Sequence, residues 1–197
     1  MRNYLTFILN GQIQTVADIA GDMTLLTWLR REQRLTGSKE GCAEGDCGAC
    51  TVVVARLDNK GHMTWRPVNA CILFMGMLEG STVTTVEGIS GPDGELHPCQ
   101  QAIVDFHGSQ CGFCTPGFVM SLYAAWCNRT GLAASQIDDT LAGNLCRCTG
   151  YRPIVDAGLS LAGMNQSAWE TKRQRAEKKL LKNKLVLKYF FFQNRKN

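Results

Sequence analysis

The sequence predicts an α+β chain, in which a small mixed sheet packed on one helix is followed by a small helical bundle. Strand-like runs of alternating or β-branched residues dominate residues 1–88, whereas helical apolar patterns dominate residues 89–163. Between these patterns, Gly88–Gly94 (GISGPDG) is rich in turn residues and is a candidate linker. We therefore predict two domains, at 1–88 and 89–163, followed by a tail at 164–197.

The first domain is predicted to contain five strands and one helix. Asn10-Gly11 favours a type I′ hairpin turn, because both central residues of that turn need a positive φ. A helix is expected over Leu25–Arg34, with Asp22 or Thr24 as its N-cap. The predicted strands are Tyr4–Leu9, Gln12–Ile19, Thr51–Leu57, Met63–Val68 and Thr82–Val86.

The second domain is predicted to be helical throughout. Thr115 as N-cap and Pro116 at the first helical position indicate the start of a long helix with a broad apolar face. Ser135 and Asp138 form a weak capping box before the next helix. The predicted helices are His97–His107, one that starts at Thr115, Thr140–Asn144 and one that Pro153 opens.

The first group of cysteines has the spacing of an iron–sulfur site. Cys42, Cys47 and Cys50 form a C-x4-C-x2-C run that Cys71 completes, which is the plant-type [2Fe–2S] pattern. Glycines at 41, 45 and 48 permit positive φ and let backbone N–H groups approach the sulfurs. A structural zinc site fits poorly, because zinc favours two closely spaced pairs of cysteines.

The second group consists of Cys111, Cys114, Cys146 and Cys148, a CxxC followed by a CxC. Cys111 and Cys114 precede the predicted helix at Thr115, where the helix dipole favours thiolates. On spacing alone, two short pairs fit either zinc or an iron–sulfur cluster. A thioredoxin-like role is disfavoured because a βαβ context is missing.

The remaining cysteines and the histidines carry no metal-site pattern. Cys127 ends an apolar helix face and is interpreted as a small hydrophobic residue, and Cys99 has no evident partner. We treat His62, His97 and His107 as ordinary surface or structural residues.

Composition and charge limit the compartment and the partners that we expect for this chain. The N-terminal sequence lacks the features of a secretory signal, and no apolar stretch is long enough to span a membrane, so we expect a cytoplasmic chain with no membrane partner. Because cysteines stay reduced in the cytoplasm, we expect the clustered cysteines to bind metal rather than to form disulfides. The net charge of +4 comes from residues 164–197, which carry ten basic and two acidic side chains. The remaining body is mildly acidic, which makes nucleic acid an unlikely partner.

Four motifs together resemble the iron–sulfur portion of the molybdenum hydroxylases, the xanthine oxidase family. The resemblance covers about residues 3–163. The motif sequences are most similar to those of the small subunits of bacterial xanthine dehydrogenases. The four motifs are GCAEGDCGACTVVV (41–54), NACI (69–72), GSQCGFCTPGFVMSLYA (108–124) and LAGNLCRCTGYRPIVDA (141–157).

This resemblance implies a β-grasp ferredoxin-like domain and a four-helix-bundle domain, each with one [2Fe–2S] cluster. It implies that Gln110 and Cys148 approach a molybdenum–pterin cofactor, and that FAD and molybdenum–pterin are held by partner subunits or domains. Electrons would pass from the molybdenum centre through the second cluster and then the first to FAD. Complexes that oxidise aldehydes, carbon monoxide or N-heterocycles are alternatives to a xanthine dehydrogenase-type complex. We assign no catalytic residue, and expect the chain to be an oxidoreductase component.

The tail departs from the family, because residues 164–197 show no flavin-binding pattern where an FAD domain is expected. A truncated or frame-shifted product, a basic docking extension and a disordered solvated tail are the three interpretations. A different class of function, a zinc-holding module with a nucleic-acid-binding tail, is the rival hypothesis.

Overall fold

The computed structural model describes residues 3–58, 60, 62–91 and 93–166. Five strands form one mixed sheet in the order β2-β1-β5-β3-β4, in which β1 and β5 are parallel and the other neighbours are antiparallel. The strands are β1 (Tyr4–Leu9), β2 (Gln12–Ala17), β3 (Thr51–Leu57), β4 (Met63–Asn69) and β5 (Thr82–Thr84). The predicted mixed sheet is confirmed.

The first hairpin forms as its turn residues predict. Asn10 and Gly11 both have positive φ, at 50° and 82°. The prediction that the second strand continues to Ile19 is wrong, because β2 ends at Ala17 and Asp18 turns to a φ of 54°. A residue in the left-handed region cannot continue an extended strand.

One helix, α1 (Leu25–Arg31), packs on the sheet. Thr24 caps it, as one of the two predicted candidates, and its hydroxyl accepts a hydrogen bond from the Thr27 amide (3.2 Å). The prediction that α1 reaches Arg34 is wrong, since Arg34 adopts a φ of 58°. The ring of Trp28 on α1 meets the ring of Phe7 edge-to-face at 5.5 Å, within a core formed between α1 and the sheet.

Strand β3 is buried on both faces and joins two cores. Val52 and Val54 pack with α1, whereas Val53 points to the opposite face and packs with the helical part of the chain. The sheet is therefore covered by α1 on one face and by a second helix on the other.

The helical part contains four helices within the described residues, as expected. They are α2 (Pro98–Asp105), α3 (Thr115–Asn128), α4 (Ile137–Leu141) and α5 (Arg152–Ser160). The long helix α3 contributes its buried residues to the helical core and packs on β3 and β4. Two short 3₁₀ turns lie at Met75–Leu78 and Val86–Gly88.

Several predicted boundaries are wrong. The last strand ends at Thr84 rather than Val86, because the 3₁₀ turn begins at Val86. The N-cap of α3 is Cys114 instead of Thr115, whose hydroxyl bonds to the Ser109 hydroxyl (2.8 Å). The long helix otherwise begins where the Thr-Pro pair indicates.

The predictions for the two neighbouring helices also need correction. The capping box of Ser135 and Asp138 does not form, and α4 lies at Ile137–Leu141 rather than at 140–144 because Gln136 stands at its N-cap position. Helix α2 ends two residues before His107, which adopts a φ of 55°. Its N-terminus is closed by a capping box of His97 and Gln100.

The domain boundaries at 88 and 163 stay predictions. Within the predicted linker, Ile89 is buried in the helical core, so this segment is packed rather than free. Most of the predicted tail, residues 167–197, lies outside the described residues. No helix in the described part of the chain is long and apolar enough to cross a membrane.

Candidate metal centres

The loop between α1 and β3 surrounds the sulfur of Cys42 with backbone donors. The amides of Glu44, Asp46 and Cys47 donate hydrogen bonds to this sulfur at 3.5, 3.3 and 3.4 Å. These donors, led by the amide of Cys47, lower the pKa of the Cys42 thiol to about 6. Donors of this kind stabilise the thiolate, which is the form that binds metal.

The glycines of this loop have different roles. Gly45 and Gly48 adopt positive φ, at 85° and 70°. Gly41 does not use the positive φ that its lack of a side chain permits; a Cβ on Gly41 would instead lie 2.8 Å from the sulfur of Cys47. The loop therefore needs Gly41 to leave space beside a sulfur.

Cys50 and Cys71 form the buried side of the first group. Cys50 ends the loop, Cys71 follows β4, and both are at least nine-tenths buried. Burial raises the pKa of the Cys71 thiol to about 12, and the neighbouring Cys50 adds to the increase. Hydrogen bonds between the segments, including one from the Asn69 side chain to the Gly45 carbonyl, hold this cysteine against the loop.

The second group comes together from two distant segments. Cys111 and Cys114 precede α3, and Cys146 and Cys148 lie between α4 and α5. The sulfurs of Cys111 and Cys148 are 3.6 Å apart, and this contact raises the pKa of the Cys148 thiol. Burial raises the pKa of the Cys114 thiol to about 12, with its neighbour Cys146 as the next cause. At Cys114, burial thus outweighs the helix dipole that the sequence suggested.

Two side chains that sequence reasoning missed support the second group. The Tyr151 hydroxyl accepts a hydrogen bond from the Cys146 amide (2.9 Å), and the Thr149 hydroxyl lies 3.2 Å from the Cys146 sulfur. Burial favours the neutral Cys146 thiol, but hydrogen bonds from the hydroxyl and amide of Thr149, together with contributions from the Cys148 amide and Cys114, outweigh burial and lower the pKa. Both residues lie in the motif at 141–157, yet nothing in its spacing indicates that their side chains turn back onto Cys146.

In both groups the thiols lie in contacting pairs. Cys42 contacts Cys47 and Cys50 contacts Cys71, while Cys111 contacts Cys148 and Cys114 contacts Cys146. This pairing suits a two-iron cluster, in which each iron takes two thiolates. Among the described residues, no three His, Cys, Asp or Glu side chains converge as closely as a single metal ion requires.

The resemblance implies that Gln110, together with Cys148 from the eight cysteines, lies near a partner's molybdenum–pterin cofactor. Gln110, next to Cys111, is exposed, as are Cys111 and Cys148 themselves. These three residues therefore lie where another molecule can reach them.

Three of the remaining candidates lie in or beside the helical core. Cys99 is fully buried, and burial raises the pKa of its thiol; Cys127 is half-buried beside the helical core. His97 is buried, caps α2 and meets the rings of Tyr123 and Trp126 edge-to-face. Burial lowers the pKa of His97 to about 4. The prediction that His97 is an ordinary structural residue agrees with this position.

Comparison with known proteins identifies the family of these two modules. Residues 7–75 match the family described as a 2Fe-2S iron-sulfur cluster binding domain, and residues 85–159 match the [2Fe-2S] binding domain family. The alignment with one chain of quinoline 2-oxidoreductase from Pseudomonas putida 86 covers 96% of that chain, with 30% identity and a TM-score of 0.68. The chain belongs to the xanthine dehydrogenase and aldehyde oxidase family, the molybdenum hydroxylases. It corresponds to their iron–sulfur part.

Other members of the family match the same part of the chain. Xanthine dehydrogenase from Blastobotrys adeninivorans is 52% identical over 79% of this chain, and aldehyde oxidase 1 from Rattus norvegicus is 49% identical over 78%. The chain spans only 11–12% of the length of these relatives. Aldehyde oxidoreductase from Desulfovibrio gigas aligns over 88% of this chain and 18% of its own, with 33% identity and a TM-score of 0.71. The predicted α+β fold, with its ferredoxin-like and helical modules, is confirmed.

Proposed function

We propose that this chain transfers electrons through two [2Fe–2S] clusters, from a molybdenum–pterin centre to FAD, both held by partner subunits or domains. The observation that carries this proposal is the arrangement of eight thiols as two groups of four, each made of two contacting pairs. The ligands of the first cluster are Cys42, Cys47, Cys50 and Cys71, and those of the second are Cys111, Cys114, Cys146 and Cys148.

The protein residues tune and protect these two groups. A [2Fe–2S] cluster, when bound, supplies one-electron redox chemistry. The three amides around Cys42 offset the negative charge on its sulfur, and Thr149 does the same at Cys146. Burial of Cys50 and Cys71 keeps water from the inner side of the first group.

The exposure of the second group supports its role as the entry point for electrons. Cys111, Cys148 and Gln110 all lie at the surface. We infer that Gln110 and Cys148 face the molybdenum–pterin cofactor of the partner, as the resemblance implies for these positions. Because electron transfer needs a short distance between the two cofactors, the partner would then cover the surface around Gln110 and Cys148.

The surface beside the first group supports an exit toward a second partner. Ile72 is 54% exposed, although it lies against Gly45 of the first loop. Phe74, on the same segment, is 44% exposed. We infer that the FAD-holding partner packs over these apolar side chains, because exposed apolar neighbours often mark an interface.

The assembly that we propose is a xanthine dehydrogenase-type hydroxylase. Complexes that oxidise aldehydes, carbon monoxide or N-heterocycles are the alternatives, and relatives named for aldehyde and for quinoline match this chain. Reduction of an artificial electron acceptor by xanthine, an aldehyde or quinoline, measured after co-purification with the molybdenum-containing partner, distinguishes these substrate classes.

Anaerobic purification of the full chain tests the electron-transfer proposal. We expect equal amounts of iron and acid-labile sulfide, and two distinct S = 1/2 EPR signals after reduction. A colourless protein that holds zinc and no sulfide would contradict the proposal. It would instead support the rival zinc module, whose nucleic-acid binding would have to depend on residues 164–197 and on salt.

A further inference from the structure

The loops that carry the two groups of thiols are joined by a hydrogen bond. The amide of Leu145 donates to the carbonyl oxygen of Cys47 at an N···O distance of 3.0 Å. Cys47 belongs to the first group, and Leu145 directly precedes Cys146 of the second. A single hydrogen bond therefore completes a path between the two groups that otherwise consists of covalent bonds.

Asn144 holds this junction together with its side chain. Its amide nitrogen donates to the Gly48 carbonyl (3.0 Å) and contacts the Thr51 hydroxyl (3.2 Å), while its oxygen accepts from the Ser121 hydroxyl (2.6 Å). The side chain thus links the first loop, β3 and α3 to the segment that carries Cys146. Asn144 is 2% exposed, so loss of these bonds would leave buried polar groups without partners.

Two glycines make this close approach possible. A Cβ on Gly48 would collide with the Gly143 carbonyl and the Asn144 side chain. A Cβ on Gly117, in the first turn of α3, would collide with the Gly48 carbonyl. The two loops and the start of α3 are therefore in direct backbone contact around Asn144.

A second bridge lies at the opposite end of α3. The Asn128 side chain accepts a hydrogen bond from the Trp65 amide (3.2 Å) and donates to the Trp65 carbonyl (2.7 Å). This asparagine also ties the helical part to the sheet, but it lies about 20 Å along the helix from the thiols. It therefore serves as a distant control for Asn144: it makes a similar bridge, but on the exposed surface.

We propose that Asn144 is a positioning residue that sets the relative position of the two cluster-binding loops. The hydrogen bond from Leu145 to Cys47 reports on this relative position, because it forms only where the two loops meet. The inference rests on the proposed function, because it needs both clusters.

The test compares Asn144→Leu with Asn128→Leu in the full chain, purified anaerobically. Hydrogen–deuterium exchange of peptides containing Leu145 reports on the junction, and the EPR coupling between the reduced clusters reports on their relative position. For Asn144→Leu we expect about tenfold faster exchange at Leu145, as for the loss of one buried hydrogen bond. We also expect both clusters to remain, with altered magnetic coupling. Asn128→Leu should leave both readouts unchanged.

Thr51→Val provides a milder variant if Asn144→Leu does not fold. Valine keeps the β-branched shape in β3 but removes the hydroxyl that contacts Asn144 and bonds to Gly48. A smaller change in the same two readouts would support the inference. Unchanged exchange and coupling in the variants that fold would overturn it.

Wild-type protein separates this inference from the proposed function. If the wild type holds no iron and sulfide, the proposed function fails. If it shows two coupled EPR signals that the variants share unchanged, only the role of Asn144 and its junction fails.

Discussion

The two groups of cysteines are built in different ways. In the first, three of the four thiols lie within one short loop, and backbone amides surround Cys42. In the second, two loops separated by α3 and α4 meet, and the side chains of Thr149 and Tyr151 support Cys146. The first group is largely a local structure of the chain, whereas the second exists only when the helices pack. The loss of a single residue should therefore affect one site without the other.

The largest expected effect comes from removing one ligand of each group. Cys42→Ala should abolish the EPR signal of the first cluster, and Cys114→Ala that of the second. Each variant should retain about half the iron, because each cluster has its own four thiolates. Iron and sulfide assays with EPR measure the result. Loss of both signals in either variant would show that the two sites do not assemble independently.

The next largest effect is expected at the contact between the loops. Gly48→Ala should lower the free energy of unfolding by about 2–4 kcal/mol, since a side chain there meets both an unfavourable positive φ and a steric collision. Urea denaturation of the holoprotein measures this change.

Gly94→Ala is the matched control for that substitution. Gly94 also has a positive φ, at 79°, but a Cβ there would meet no atom within 4 Å. Its cost should be about 1–2 kcal/mol, from the backbone alone. Equal losses for the two variants would argue against close packing of the loops at Gly48.

A smaller effect should distinguish the helical core from the sheet. Burial lowers the pKa of His97 to about 4, so the unfolded chain binds more protons than the folded chain between about pH 4 and 6.5. The corresponding stability is present above pH 6.5 and is lost as the pH falls toward 4. Between pH 7.5 and 5 we expect a loss of about 2 kcal/mol from this group.

His97→Asn is the variant that isolates this titration. Asparagine can still cap α2 but does not titrate in this range. Urea unfolding across pH 5–7.5 should therefore show a shallower pH dependence than the wild type. An identical pH dependence in the two proteins would remove His97 as its source.

The smallest effect should be a change of potential at the second cluster. Thr149→Val removes the hydroxyl 3.2 Å from the Cys146 sulfur. Hydrogen bonds to a cluster sulfur stabilise the reduced state, which carries more negative charge. Loss of this hydrogen bond should therefore lower the reduction potential of the second cluster. Redox titration followed by EPR measures both clusters.

Thr115→Val provides the comparison for that titration. Its hydroxyl lies in the same region but bonds to Ser109 rather than to a sulfur. The potentials of both clusters should stay close to the wild-type values in this variant. A similar shift in both variants would mean that the hydroxyl of Thr149 has no specific effect.

Local patterns in the sequence determined much of this protein. The hairpin turn at Asn10-Gly11, the cap at Thr24 and the four-helix count follow from short-range preferences, and the structure has them. The C-x4-C-x2-C run identified the first group because three of its thiols are close in sequence. The ligand sets themselves stay predictions, and the family follows from the joint motifs and the comparisons.

Tertiary packing decided the rest. The spacing of the second group could not separate zinc from a cluster, since its pairing depends on how α3 and α5 pack. The raised pKa of Cys114 and the lowered pKa of His97 arise from burial, which no local motif contains. The role of Asn144 was invisible for the same reason: its partner Gly48 is 96 residues away in the chain. Sequence neighbours set the local turns, but only the packed helices and sheet bring the two cysteine groups together.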